Sequence, residues 1–142
     1  MFLFLRSLPA AVRTRIHALR QLVLAEFTKD ARGLQLMRDW LSPDQRAKFD
    51  DSGSFEVVGC DSGKRYRICR GTAQNVLELD DAGRLKVGLC FIPYGELVAG
   101  DVMLAQKIAL ETDENGALAV AYRFVPLARR VGRRSRFFRP PL

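Results

Sequence analysis

A single histidine and three cysteines are all that this chain of 142 residues offers for metal or thiol chemistry, and that shortage is informative. Structural zinc sites set two thiolates on one short turn, as in C-x2-C. Cys60, Cys69 and Cys90 are too widely spaced for that, and His17 lies far upstream. No metal site is expected. Nucleophilic catalysis needs a nucleophile, a base and an orienting group, but the one histidine falls in a helical stripe among arginines. G-x-G-x-x-G, the P-loop and G-x-S-x-G are all missing. Adjacent carboxylates occur at Asp50 with Asp51, Asp80 with Asp81 and Asp113 with Glu114, each beside a turn or a helix start where capping accounts for it. The expectation is therefore a protein that is not an enzyme, with no catalytic residue and no cofactor.

Long apolar runs are lacking too. MFLFL at the start is cut short by Arg6 and Pro9 with no cleavage-site pattern behind it, and nothing approaches the roughly 20 apolar residues of a spanning helix. An odd number of thiols without a secretory signal points to reduced cysteines and a cytoplasmic location, peripheral contact with a membrane remaining open. A Cys60–Cys69 bridge across a hairpin is geometrically conceivable, but that compartment argues against it.

Acid is scarce at both ends. Residues 1–32 carry six Lys or Arg against Glu26 and Asp30, residues 33–122 carry ten against fourteen acids, and residues 123–142 carry seven Arg and no acid. The net charge of +7 thus belongs to the termini, around a mildly acidic middle. With 48% hydrophobic and 27% charged residues the chain suits one globular domain.

The first 41 residues read as amphipathic helices. Ser7 caps, Pro9 sits in the first turn, and Val12, Ile16, Leu19, Val23 and Phe27 recur at steps of three and four. Thr28 to Gly33 is expected to break or kink the helix, because Gly33 is a poor helix former. A second helix then carries Leu34, Met37, Trp40 and Leu41. Ser42, Pro43 and Gln45 make a capping box for a short helix anchored by Phe49.

From Phe55 the period changes to two. Strands are expected at Phe55–Val58, Arg65–Cys69, Asn75–Asp80 and Leu85–Phe91, joined by turns at Asp61–Gly63 and Asp81–Gly83. Alternation places Phe55, Val57, Tyr66, Ile68, Leu77, Leu79, Leu85, Val87, Leu89 and Phe91 on one face. Glu56, Arg65, Arg67, Glu78, Lys86 and the cysteines fall on the other. A helix after Gly100, with Val102, Leu104, Ala105, Ile108 and Ala109, is expected to close the apolar face, followed by a short helix capped by Asp113 and running to Tyr122.

The fold class is thus α+β: N-terminal helices (1–41), then a core domain (42–124) of a four-stranded antiparallel β-meander with a C-terminal helix packed on the sheet, and last an Arg-rich arm (125–142) expected to be flexible. In that arm Arg129, Arg130, Arg133, Arg134, Arg136 and Arg139 interleave with Phe137 and Phe138. Arginine neutralises phosphates and aromatics stack on unpaired bases. The same composition suits an anionic bilayer or an acidic protein.

The segments LSPDQRAKFDDSGSFEVVG, GKRYRICRGTAQNV, LCFIP and GDVMLAQKIALETDENGALAVAYRF, spanning Leu41 to Phe124, resemble a group of small bacterial proteins of unknown function. That resemblance implies a discrete helix, meander and helix domain and carries no catalytic residue. The functional expectation is a non-enzymatic binding or adaptor module contacting nucleic acid or another polyanion through its basic termini. The alternative is a peripheral membrane or assembly protein that uses the N-terminal amphipathic helix on lipid or a protein partner.

Overall fold

The computed structural model describes residues 10–126. Among these residues nine elements follow one another: α1 (Ala10–Asp39), α2 (Pro43–Ser52), β1 (Ser54–Val58), β2 (Arg65–Cys69), β3 (Val76–Leu79), β4 (Leu85–Cys90), α3 (Ala99–Thr112), α4 (Glu114–Val120) and β5 (Tyr122–Phe124). The class is α+β with an antiparallel sheet, in the order β1-β2-β3-β4-β5. The expected start of the first helix at Ser7 and Pro9 lies outside the described residues.

Three expectations about the elements are corrected. The break at Thr28–Gly33 does not occur, and α1 is one 30-residue helix. Gly33 is small because α1 crosses α3 there: a Cβ on Gly100 would fall into the Gly33 carbonyl, and one on Gly33 would meet Val98 and Asp101. A poor helix former is tolerated in mid-helix because packing outweighs a propensity cost of about 1 kcal/mol. The sheet has five strands rather than four. After α4, capped by the Asp113 carboxylate accepting from Gly116 N–H at 3.0 Å, the chain turns extended at Ala121 and Tyr122–Phe124 pairs with β4. Finally, the apolar face is not closed by one helix. Met37 from α1, Leu41 just beyond its end, Phe49 from α2 and Met103, Leu104 and Leu110 from α3 share one core with Phe55, Val57, Tyr66, Ile68, Val76 and Leu89.

The capping box of α2 forms as expected, with Gln45 N–H donating to Ser42 Oγ at 3.2 Å and Ser42 N–H to Gln45 Oε1 at 3.1 Å. Gln45 Nε2 also donates to the Glu56 carbonyl at 2.8 Å, tying the helix to β1. The Phe49 and Phe55 rings meet edge to face, 6.2 Å between centroids.

Register decides which side chains share a face. Val57 lies opposite Tyr66, Tyr66 opposite Glu78, and Glu78 opposite Val87, so these four point to the core side. The next row runs Glu56, Arg67, Leu77, Gly88 and Phe124 and points the other way. The expected facing of β3 is therefore reversed: Val76 and Glu78 face the core, Leu77 and Leu79 the outer side. All four residues of β3 are buried. The Phe124 ring of β5 covers Gly88, where any Cβ would collide with it, and this shields the row containing Leu77. The Glu56–Arg67 ion pair at 3.0 Å matches the expected cross-strand charge pairing.

One buried polar pair crosses the core. Asn75 and Gln106 exchange two amide hydrogen bonds of 2.9 Å, and the Cys69 and Gly71 carbonyls, at 3.0 and 3.1 Å, share with Gln106 Oε1 the two N–H groups of Asn75 Nδ2. Asn75 satisfies the loop between β2 and β3 where no ladder does.

Candidate functional site

Two surfaces stand apart from this structural frame. The first is the N-terminal part of α1. The residues from Val12 to Lys29 whose side chains are described are all exposed, and burial begins only at Asp30. The stripe read from the sequence is thus uncovered: Leu19 is 62% and Phe27 68% exposed, and Ile16 and Val23 are exposed as well. A helix of this length extends about 45 Å. Its C-terminal third is held down by Met37, by Leu41 just past its end, by Arg38 paired with Asp50, and by Arg70 with Asp30 at 3.2 Å. The remainder carries an apolar stripe flanked by Arg15 and Arg20 into solvent.

The second surface is a cavity of about 400 Å³ at the end of the sheet where β2, β3 and β4 meet. Glu78 forms part of its wall, with a side chain only 3% exposed. Its Oε1 lies 3.6 Å from Lys64 Nζ and 3.3 Å from Lys86 Nζ, while its Oε2 is buried without a hydrogen-bond partner. The register slips beside it, so that Leu79 pairs with Leu85 and Lys86 is set free to reach the carboxylate. Irregularities of this kind re-aim side chains. Asp80 and Asp81 also line the cavity. Asp80 accepts from Arg84 N–H and Nε–H, each at 2.8 Å, and the backbone hydrogen bond from Arg84 leads the causes that lower its pKa.

No family model, curated protein or solved structure matches the chain.

The buried carboxylate of Glu114 serves the frame. It accepts from Asp61 N–H at 2.9 Å, Ser62 N–H at 2.7 Å, Tyr66 O–H at 2.6 Å and the Ser62 hydroxyl, joining the β1–β2 turn to α4. Burial pushes its pKa up, but the hydrogen bonds from Ser62, Tyr66 and Asp61 prevail and hold it at about 2. Burial, and then the hydrogen bond to Glu114, raise the Tyr66 phenol. Capping accounted for the Asp113–Glu114 pair in the sequence. It holds for Asp113 and misses Glu114, whose partners lie about fifty positions upstream.

The arm residues Arg129, Arg130, Arg133, Arg134, Arg136, Phe137, Phe138 and Arg139 lie outside the described residues. Arg65, Arg67 and Glu78, one sheet face by alternation, are divided: Glu78 is on the core side, and Arg67 pairs with Glu56 on the other. Among the described residues no group of three His, Cys, Asp or Glu is placed to hold a metal, and Cys60, Cys69 and Cys90 are free. Burial raises the Cys69 thiol's pKa despite Arg67 nearby. The Glu78, Lys64 and Lys86 group was not legible in the sequence, because it depends on a register slip without a residue signature.

Proposed function

We propose that this protein is a non-enzymatic binding module that attaches to an anionic membrane surface through the exposed part of α1. The observation carrying this reading is the uncovered apolar stripe Ile16, Leu19, Val23 and Phe27 on a segment rich in basic residues. Residues 12–29 hold Arg13, Arg15, Arg20 and Lys29 against Glu26 alone. Arginines flanking an apolar stripe suit a helix lying in the headgroup region, stripe toward the acyl chains and guanidinium groups toward phosphate. Parallel self-association through the same stripe would bring the cationic flanks of two copies together, which like-charge repulsion opposes. Among the described residues no helix is long and apolar enough to cross a membrane, and the contact proposed is peripheral.

Co-sedimentation tests this. The full chain is expected to pellet with phosphatidylcholine vesicles containing about a quarter phosphatidylserine, and to be released by salt as screening shortens. A Leu19→Glu, Phe27→Glu variant is expected to stay in the supernatant. Equal pelleting of that variant, or no pelleting of the parent, overturns the reading.

A second reading, contact with nucleic acid or another polyanion, rests on the arm sequence of six arginines around Phe137 and Phe138. It gains support if removal of residues 127–142 abolishes salt-sensitive binding to single-stranded RNA, and fails if the truncated chain binds equally well.

A further inference from the structure

We infer that the cavity beside Glu78 is a binding site for a small zwitterion of the α-amino acid type, its ammonium received by Glu78 and its carboxylate by Lys64 and Lys86. The two lysines approach only Oε1, at 3.6 and 3.3 Å, longer than the roughly 2.8 Å of a strong charge-assisted bond. Oε2 has no partner although it is buried, a costly state for a charged group. The lysine side chains are 43% and 58% exposed, so they part without disturbing the core.

The chemistry of the wall selects the ligand. A metal cation meets two ammonium groups at the wall's one buried carboxylate, and Asp80 in the same wall is already paired with Arg84. A simple anion satisfies the lysines and leaves Oε2 unpaired against added negative charge, and a simple amine satisfies Oε2 and is repelled by the lysines. A molecule with both charges a few ångströms apart fills all three needs at once: its carboxylate draws the ammoniums off Oε1 while its own ammonium donates to Glu78. About 400 Å³ is within the size range of small-molecule sites. The slip between Glu78 and Leu79 is the local device that brings Lys86 to the same carboxylate as Lys64.

The test is a chemical-shift titration of the 15N-labelled full chain with L-alanine, L-leucine, L-glutamate and L-lysine in turn, with propionate, propylamine and propionamide as controls. At least one amino acid is expected to move the amides of Gly63, Lys64, Arg65, Asp80 and Lys86 saturably, with each control at least tenfold weaker. Glu78→Gln is expected to weaken binding tenfold or more. A paired Lys64→Ala, Lys86→Ala change, at exposed positions, must do the same and decides the matter if the Glu78 variant does not fold. The proposal is overturned if none of the four amino acids moves those amides, if propionate or propionamide moves them as strongly, or if the double lysine variant binds unchanged.

Discussion

Gly33 and Gly100 lie face to face where α1 crosses α3, backbone against backbone, with no room on Gly100 for a Cβ beside the Gly33 carbonyl. This contact lets a helix of 30 residues dock by its final third, so its placement depends on two missing side chains.

Gly100→Ala is accordingly expected to destabilise the fold. Alanine gains about 1 kcal/mol of helix propensity, but the new methyl meets backbone that cannot swing aside, and overpacking of this kind costs about 1–3 kcal/mol or more. Urea unfolding should show a lower midpoint with an unchanged slope. A midpoint at or above the parent's would mean that the helices separate at little cost.

Removal of residues 1–27 is expected to leave the body folded, within about 0.5 kcal/mol of the parent, because the described side chains of that stretch bury nothing. Hydrogen exchange on the full chain in the absence of vesicles should divide α1 accordingly, with amides before Thr28 exchanging much faster than those from Gly33 to Asp39. Uniform protection along α1 would contradict an unsupported N-terminal part.

Glu114 sets an acid limit on stability. Its pKa is about 2 in the folded chain against about 4.3 in the unfolded one, so the unfolded state binds the extra proton between those values. The contribution is complete above about pH 5 and is lost as pH falls toward 2. Glu114→Gln should unfold more readily at pH 7 and lose less of its remaining stability between pH 5 and pH 3, as read from denaturant midpoints at each pH. Parallel pH profiles would assign the acid sensitivity elsewhere.

Asn75→Ala should cost about 1–3 kcal/mol, since it strands the Gln106 amide and two carbonyls in the interior. Gln106→Ala should cost less, because Asn75 keeps its bonds to Cys69 and Gly71. A double-mutant cycle in thermal unfolding checks the coupling; additive losses would show the two amides to be independent.

On its own, the sequence determined what local chemistry controls. The Ser42, Pro43 and Gln45 capping box, the hairpin of Phe55–Cys69, the turn at Asp81–Gly83 and the Asp113 cap are set within a few residues of chain, and the charge distribution is read directly. Tertiary structure decided what depends on a distant partner. Alternation tells the inward side only when the other side is wet, and β3 is buried on both, so reading Val-Leu-Glu-Leu by its leucines puts Glu78 on the wrong side. Gly33 reads as a break until Gly100 lies against it. Glu114 reads as a helix-start acid until the Asp61–Tyr66 segment closes around it, and Tyr122–Phe124 becomes a strand only because β4 presents an edge and Gly88 leaves space for the Phe124 ring.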